Sequence, residues 1–454
     1  MLKFQIECFI ETKVLFCYTL KMVISSIDLK DGKVVQLKNG KEPVLERNDS
    51  DALIEDFSFY GETAVIDLDA ALGNIIQEGK QKGETLNTPI LKNLLRKGSV
   101  RAGGGIRDVK KARELISLGA EKVIIGSSAW KDGKLDTGFL SELHKAIGKQ
   151  RVIISVDAIN GMIAVKGWTE TSGIPLIEGA KQAEQWASEL LFTCVEKEGC
   201  MTGIDMNLVT RLREAVSCRL VVAGGVSSVE EIEALEKIGC DVQLGMALYT
   251  GKVALKDAFV SCLNWTKAQE NSNGLIPLIA QSTAGEVLMM GFANKEAFSK
   301  TFDTKKLTFW SRSRNVLWTK GEHSGNYLEV LKLRADCDRD TVLATVIPHG
   351  PVCHTGSWTC FTSEAGAAST FERLSNVIEQ RFANPTPGSY TATLNDALVR
   401  EKIEEEAEEL IEAESKEDVI WEAADLLYFV SVLLHKEGVS WNDVLGELDR
   451  RHKK

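Results

Sequence analysis

The sequence predicts a multidomain protein with an N-terminal (β/α)8 (TIM) barrel, a small central α+β domain and an all-α C-terminal domain. Three observations predict this order. The first half repeats one strand and helix pattern, the segment DCDRD…PVCHTGSWTC gathers thiols and carboxylates, and the final part shows helical patterns with paired acidic residues. A chain of 454 residues is long enough for two or three domains.

Composition narrows the class of protein. Apolar content of 44% and charged content of 26% are typical of a soluble globular protein, and a net charge of −11 argues against bulk nucleic-acid binding. Ten cysteines are too few for a disulfide scaffold, which predicts a reducing, cytoplasmic setting. No apolar run reaches the roughly 18–20 residues of a membrane span. Residues 1–21 carry interrupting charges, make a poor secretory signal and are predicted to be an extension whose function the sequence does not indicate.

Two segments of the first half echo each other. VISSIDL from Val23 is repeated as VIISVDA from Val152, and RAGGGIRDVKKARELISLGAEKVIIGSS from Arg101 is repeated as VVAGGVSSVEEIEALEKIGCDVQLGMA from Val221. Each copy gives buried apolar strands that alternate with amphipathic helices, which indicates parallel βα units. Duplication of a four-unit half predicts eight strands, and residues 22–265 suit one (β/α)8 barrel.

Active sites of this fold lie at the carboxyl ends of the strands. Asp28 and Asp157 occupy that position on the first and fifth strands, so they can act as general acid and base on opposite sides of a bound sugar. Either one alone would suit a turn or a helix cap. Glycine turns before two helices expose backbone N–H groups for a substrate with two phosphates. These predicted phosphate-binding residues are Gly103, Gly104, Gly105, Gly224 and Gly225.

The same half resembles the phosphoribosylformimino-5-aminoimidazole carboxamide ribotide isomerase barrel. IDLKDGKVV, IDLDAALG, AGGGIR, VIIGSSAW, KGWTETSG, AGGVSS and GMALYTGK follow that family in order. The resemblance implies an Amadori isomerisation with Asp157 as general acid, Asp28 as base, and Thr193 and Trp168 lining the substrate. There are departures: the family's TDxxRDGT loop is TCVEKEGCMTG, Met246 replaces a frequent basic residue, and the loop from Ile75 to Leu86 is enlarged. The alternative is a barrel that serves only as an oligomerisation scaffold.

The central segment combines two kinds of metal ligand. Cysteine thiolates select zinc, whereas closely spaced carboxylates select magnesium. The thiols are Cys337, Cys353 and Cys360, and three protein ligands leave a position for water, as in a catalytic zinc site. The alternative is a structural zinc site with His354 as fourth ligand. The predicted magnesium ligands are Asp336, Asp338 and Asp340.

Residues 270–362 resemble phosphoribosyl-AMP cyclohydrolase through GLIP, GEVLMMGFANKEAF, FWSRSR, LWTKGEHSGN, DCDRD and CHTGSWTC. The resemblance implies the same zinc and magnesium ligands, and a homodimer that shares its zinc between subunits. His354, next to a ligand, is the candidate proton shuttle, with a packed histidine as its alternative. Arg312, Arg314 and Lys320 are predicted to bind substrate phosphates, which suit guanidinium and ammonium groups.

After a small-residue linker, residues 370–454 resemble phosphoribosyl-ATP pyrophosphatase through GSYTATL, KIEEEAEELIEA and WEAADLLYFVSVLL. Helical spacing of i,i+3 and i,i+4 places their carboxylates on neighbouring faces. Such a cluster suits magnesium bound to a triphosphate, and its alternative is a solvated acidic face. Glu404 replaces the family's usual glycine. The predicted ligands are Glu405, Glu406, Glu409, Glu422 and Asp425.

The three resemblances describe consecutive reactions of histidine biosynthesis on phosphoribosylated adenine nucleotides and their ring-opened product. We therefore predict a multifunctional, Zn²⁺- and Mg²⁺-dependent enzyme that binds a phosphoribosylated ATP. The competing prediction is a bifunctional cyclohydrolase and pyrophosphatase with a non-catalytic barrel.

Overall fold

The computed structural model describes residues 23–76, 84–361, 367–385 and 389–452. The predicted N-terminal extension, residues 77–83 of the enlarged loop and Gly388 of the GSYTATL motif lie outside the described residues.

The strands of the described N-terminal half belong to the barrel and to hairpins on it. They are β1 Val23–Lys30, β2 Lys33–Lys38, β3 Glu42–Arg47, β4 Thr63–Asp67, β5 Val100–Gly103, β6 Lys122–Ile125, β7 Trp130–Lys131, β8 Lys134–Leu135, β9 Val152–Ser155, β10 Ala158–Ile159, β11 Met162–Val165, β12 Glu170–Pro175, β13 Glu189–Thr193, β14 Arg219–Ala223 and β15 Asp241–Leu244.

Eight of these strands close into a parallel barrel. The order is β1, β4, β5, β6, β9, β13, β14 and β15, and the ring closes where Val23 of β1 pairs with Val242 of β15. These strands are buried, as expected when helices cover the outside of a parallel sheet. The predicted (β/α)8 barrel is confirmed. Its interior carries an apolar layer made of Ile24, Ala64, Ile124, Ile153, Leu191, Val221 and Ala223.

Helices follow the barrel strands, and several begin at side-chain caps. Asp108 accepts a hydrogen bond from Lys111 N at 2.8 Å, and Ser228 accepts one from Glu231 N at 3.3 Å, at matching positions of the two repeats. The helices are α1 Ser50–Ser58, α2 Leu68–Leu72, α3 Thr88–Lys97, α4 Val109–Ser117, α5 Thr137–Ile147, α6 Leu176–Ala183, α7 Met206–Ala215, α8 Val229–Lys237, α9 Met246–Tyr249, α10 Leu255–Ser261 and α11 Trp265–Ser272.

Charged side chains fill the N-terminal end of the barrel interior. Arg101 is fully buried and pairs with Glu62 and Glu189. Arg219 lies 2.8 Å from Glu189 and 2.5 Å from Asp241. Buried charges are tolerated where each has a partner, so this network is held together by mutual pairing.

The central domain is built on one mixed sheet, with strand order β17, β16, β21 and β20, beside a β18–β19 hairpin. Its elements are β16 Ile276–Ser282, β17 Val287–Ala293, α12 Lys295–Thr304, β18 Thr308–Ser311, β19 Val316–Thr319, β20 Leu328–Ala335 and β21 Val342–Pro348.

The central domain packs against the N-terminal end of the barrel, away from the barrel mouth. Phe302 of α12 stacks on Tyr60 at 4.9 Å and meets Phe59 and Phe259 edge-on at 5.7 and 5.4 Å. Leu333 N also donates a hydrogen bond to Phe59 O at 3.3 Å. Because Phe59 and Tyr60 lie a few residues before the start of β4 at Thr63, this contact covers the base of the barrel.

The C-terminal domain is helical, as predicted. Its helices are α13 Ala367–Ala383, α14 Tyr390–Thr393, α15 Asp396–Glu412, α16 Lys416–Lys436 and α17 Trp441–His452. Apolar side chains of α13, α15 and α16 and of the turn after α14 form its core, which comprises Ile378, Leu394, Val399, Phe429 and Val432. Among the residues that the structure describes, no helix combines the length and apolar character that crossing a bilayer requires.

Candidate functional site

The barrel mouth contains a cavity of about 250 Å³ lined by both predicted catalytic aspartates. Asp28 lies on β1, where Ser26 Oγ donates to its Oδ1 at 3.1 Å, and burial raises the pKa of Asp28 to about 6. Asp157 lies two residues after the end of β9 and accepts a 2.7 Å hydrogen bond from Trp168 Nε1. Burial also raises the pKa of Asp157, although the hydrogen bonds it receives oppose this. The strand-end argument therefore brings both carboxyls to one cavity.

A third carboxyl, Glu198, lines the same cavity. Burial is the main cause that raises its pKa to about 8, and the charges of Asp28 and Asp157 raise it further. Three acids that share one cavity cannot all ionise easily, so near neutral pH this group retains a proton. Glu198 belongs to the TCVEKEGCMTG loop, whose sequence differs from that of the resembling isomerase family. The sequence alone does not indicate that the Glu198 side chain enters the cavity.

Trp168 covers the cavity in a constrained conformation. Its φ of 68° lies in the left-handed region, which is costly for a bulky residue, and such strain persists where surrounding contacts fix it. The indole donates to Asp157, and its ring packs on Gly40 so closely that a Cβ there would lie 2.8 Å away. Thr193, at the end of β13, is buried and lines the same cavity. Both predicted substrate-lining residues are therefore at the mouth.

The glycine turns meet the cavity at Gly103, Gly104, Gly105 and Gly224, whereas Gly225 is not among its lining residues. Glycine is required at Gly104, where φ is 100° and a Cβ would lie 2.1 Å from the carbonyl oxygen of Asp67. The following helices, α4 and α8, begin four residues beyond the turns and have their own side-chain caps. The N–H groups available to phosphate are therefore those of the turns.

The predicted magnesium ligands come together in the central domain. Carboxylate oxygens of Asp336, Asp338 and Asp340 lie within 4.8 Å of one another. Asp336 accepts hydrogen bonds from Asp340 N and Thr341 N at 3.1 Å each, which fixes the turn. Hard carboxylate oxygens at this spacing fit a divalent cation such as Mg²⁺. The ammonium of Lys267 contacts Asp338 and lies 2.7 Å from Asp340, and it lowers the pKa of Asp338.

Two of the three predicted zinc thiols are neighbours. A hydrogen bond from Thr355 at 3.1 Å lowers the pKa of Cys353, while burial and then the adjacent Cys353 raise that of Cys360. Cys337 forms no three-ligand group with them within the described residues, and neither does His354, whose Nδ1 lies 3.9 Å from the Cys353 sulfur. Soft thiols fit zinc, and the described residues of one chain bring two of the three predicted thiols together.

The three predicted phosphate-binding cations fall into two neighbouring cavities. Arg312 stacks on Phe292 at 3.9 Å, and Arg314 Nε donates to Ser311 Oγ at 3.2 Å, both in the first cavity. Lys320 is buried in the second cavity, and burial lowers its pKa. Both cavities share Met289 and Trp318 as lining residues. The second also contains Cys353, His354 and Cys360.

The C-terminal carboxylates gather where α15 faces α16. Oxygens of Glu406, Glu409 and Glu422 lie within 4.8 Å of one another. Burial raises the pKa of Glu406, with Asp425 as the next cause, so Asp425 is close to this cluster. Glu405 instead pairs with the lysine three residues before it at 2.6 Å. Four of the five predicted ligands thus share one region, which fits a divalent cation.

Comparison with known families agrees with this division of the chain. Residues 22–254, more than half of the chain, match the family model described as histidine biosynthesis protein. The chain belongs to the histidine biosynthesis protein family. Residues 289–362 match phosphoribosyl-AMP cyclohydrolase, and residues 371–452 match phosphoribosyl-ATP pyrophosphohydrolase. The central domain is therefore a cyclohydrolase domain, and the C-terminal domain is a pyrophosphohydrolase domain.

Curated relatives of this chain are named histidine biosynthesis bifunctional proteins. The chain is 41% identical over 210 residues to the histidine biosynthesis bifunctional protein HisIE of Photobacterium profundum, which covers 43% of this chain and all of that protein. It is 44% identical over 195 residues to HisIE of Bacillus subtilis, covering 40% of this chain and 93% of the relative. The Pyrococcus furiosus HisIE is 39% identical over 204 residues, covering 42% and 96%.

Sequence reasoning missed several residues at these sites. Gly126 and Gly245 line the barrel cavity at the ends of β6 and β15, and the echo of VIIGSS in VQLGMA is the signal that could have found them. Lys267, on a helix far from the acidic motif in sequence, carries no local signal of its contact with Asp338 and Asp340.

Proposed function

We propose that this chain catalyses three consecutive steps of histidine biosynthesis. Phosphoribosyl-ATP loses pyrophosphate in the C-terminal domain, phosphoribosyl-AMP is ring-opened in the central domain, and the barrel isomerises the resulting aminoaldose to an aminoketose. The observation that supports the isomerase step is the cavity that Asp28, Asp157 and Glu198 share with the glycine turns. A scaffold would have no use for three enclosed acids.

The barrel chemistry follows from the states of its carboxyls. Asp157 is the proposed general acid that protonates the ribose ring oxygen, because burial favours its protonated form and Trp168 fixes one of its oxygens. Its other oxygen, Oδ1, is buried with no hydrogen-bond partner among the described residues, which leaves it available to a substrate. Asp28 ionises above about pH 6 and is the proposed base at ribose C2. Turn N–H groups at Gly104 and Gly224 would hold the two phosphates.

We assign the cyclohydrolase zinc to Cys353 and Cys360 of one subunit with Cys337 of a second copy, which makes the homodimer part of the proposal. This assignment is supported by the finding that, among the described residues of one chain, Cys337 forms no three-ligand group with the other two thiols. Zinc in such a site acidifies a bound water. His354 and Lys320 line the cavity beside the thiols, where the imidazole can move a proton and the ammonium can meet a phosphate.

We assign one Mg²⁺ site to Asp336, Asp338 and Asp340 and another to the α15–α16 cluster with Asp425, where it would bind a triphosphate. We place Glu405 at the edge of the second Mg²⁺ site, because its carboxylate is paired with Lys402. The domain boundaries at 22–265, 270–362 and 370–454, and the cytoplasmic location, stay predictions.

Two single substitutions in the full chain separate the hydrolase steps. With phosphoribosyl-ATP as substrate, Cys353→Ser should release pyrophosphate and accumulate phosphoribosyl-AMP, whereas Asp425→Asn should release none but still open the ring of supplied phosphoribosyl-AMP. Product chromatography and bound zinc, measured by mass spectrometry, are the readouts. Ring opening at the wild-type rate by zinc-free Cys353→Ser protein would refute the zinc assignment.

A further inference from the structure

The acidic metal loop of the cyclohydrolase domain is attached to the base of the barrel. Arg339 stands between Asp338 and Asp340 in sequence, yet its buried guanidinium lies 2.5 Å from Glu236 of α8 and 3.7 Å from Asp241 of β15. Asp241 also pairs with Arg219, which belongs to the buried ionic network of the barrel. One side chain thus joins the metal loop to that network.

The backbone of the loop is held by the segment that leaves the barrel. Asn264 N donates to Arg339 O at 2.8 Å, and Asn264 Nδ2 donates to Asp338 O at 3.3 Å. Arg339 has a φ of 64°, a left-handed conformation that a non-glycine residue keeps only when its contacts fix it. Side chain and backbone therefore fix the loop in one conformation from the barrel side.

The same segment places a cation among the acidic ligands. Asn264 caps α11 by accepting a hydrogen bond from Lys267 N at 3.0 Å. The Lys267 ammonium contacts Asp338 and lies 2.7 Å from Asp340. A divalent cation that binds these carboxylates must displace the ammonium, because the two cations would occupy the same carboxylate oxygens and repel each other.

We propose that Arg339 is a positioning residue for the divalent-cation site: its attachment to the barrel base holds the acidic loop ready for the metal, and Lys267 is the internal cation that the metal displaces. The inference rests on the proposed Mg²⁺ site. It makes the barrel base a structural part of the cyclohydrolase domain, whatever the activity at the barrel mouth. Arg339 and Lys267 act on metal affinity in opposite directions.

Titration of the full-length chain with Mn²⁺, an oxygen-seeking substitute for Mg²⁺ that electron paramagnetic resonance detects, tests this. The titrations use a Glu406→Gln and Asp425→Asn background, which removes the C-terminal carboxylate site. Removing a group that orients metal ligands typically weakens metal affinity by about 10–100-fold, and this is the effect expected for Arg339→Met. Arg339→Lys should recover part of the loss, and Lys267→Met should bind Mn²⁺ more tightly than the background chain.

Three further variants control the comparison. Lys256→Met breaks a 2.8 Å ion pair with Asp303 between the same two domains, away from the metal loop, and should leave Mn²⁺ affinity unchanged. Glu236→Gln removes the charge of one barrel-side partner of Arg339 and leaves the sequence of the acidic loop unchanged. It should therefore weaken Mn²⁺ affinity, and it provides a test even if Arg339→Met fails to fold. The double variant with Arg339→Met should be no weaker than Arg339→Met alone, since both break one interaction.

The outcomes separate the two claims. Unchanged Mn²⁺ affinity in folded Glu236→Gln and Arg339→Met chains, or weaker binding by Lys267→Met, would overturn the positioning role. Mn²⁺ binding that Asp340→Asn leaves unaltered would instead refute the proposed metal site itself.

Discussion

Asp28→Asn should stabilise the barrel at high pH while removing its proposed base. The folded barrel raises the pKa of Asp28 from 3.8 to about 6, so the folded state binds this proton more tightly than the unfolded state. Stability in the wild type is therefore greatest below about pH 4 with respect to this group, and it falls as the pH rises through about 6. Asparagine carries no charge to desolvate and has no such pH dependence.

The difference in pKa sets the size of the effect. At about 1.4 kcal/mol for each pKa unit, the ionised carboxylate costs at most about 3 kcal/mol of the free energy of unfolding above pH 6. Partial exposure to the cavity reduces this. We expect the free energy of unfolding of Asp28→Asn, relative to wild type, to rise by about 1–2.5 kcal/mol between pH 4 and pH 8.

Amide hydrogen exchange of the buried barrel strands in the full-length chain gives this free energy locally, without requiring the three domains to unfold together. Wild type and variant are compared at the same pH, so that intrinsic exchange rates cancel. Asp132→Asn, at an exposed turn, is the matched control and should show no pH-dependent difference. If Asp28→Asn changes the free energy of unfolding by the same amount at pH 4 and pH 8, burial does not raise the pKa of Asp28 as argued.

Three further predictions concern the base, the mouth and the zinc. Arg101→Met removes the arginine that Glu62 and Glu189 share, and Arg219 alone cannot replace it, so the variant should lower barrel stability by about 3–5 kcal/mol in denaturant unfolding, whereas a neutral effect would contradict the pairing argument. Trp168→Phe removes the donor to Asp157 and should slow isomerisation by about tenfold or more, so an unchanged kcat would count against that hydrogen bond. A zinc chelator should stop ring opening yet spare pyrophosphate release with Mg²⁺ present, and equal loss of both would argue against separate sites.

Much of the barrel could be predicted because its sequence repeats a local pattern. The segment that begins at Val23 is repeated from Val152, and this duplication predicted eight strands. Because all strands of a parallel barrel end at the same face, Asp28 and Asp157 were predicted to lie in one site. The carboxylate cluster of α15 and α16 was also predictable from a local pattern. Residues three and four apart are neighbours on a helix, so Glu406 and Glu409 of α15 share a face, as do Glu422 and Asp425 of α16.

The remaining features depend on tertiary contacts that local patterns do not contain. Glu198 lies in a loop whose sequence differs from that of the resembling family. Its pKa is raised by burial and by the charges of Asp28 and Asp157, which are far from it in sequence. Arg339 and Lys267 meet partners across a domain contact, so their roles appear only once the barrel and central domain are packed together. The zinc set of Cys337, Cys353 and Cys360 stays a prediction, because the predicted site is shared between two subunits and one chain alone cannot test it.

Whether the barrel is a working isomerase is measured by supplying the ring-opened aminoaldose to the full-length chain and following aminoketose formation. We expect turnover by wild type and a loss of about 10²–10⁴-fold in Asp157→Asn, the cost of removing a positioned general acid. Hydrolase activities on the other two substrates should persist in the variant. A folded wild-type chain that forms no aminoketose above background, or an Asp157→Asn chain as fast as wild type, would contradict this expectation.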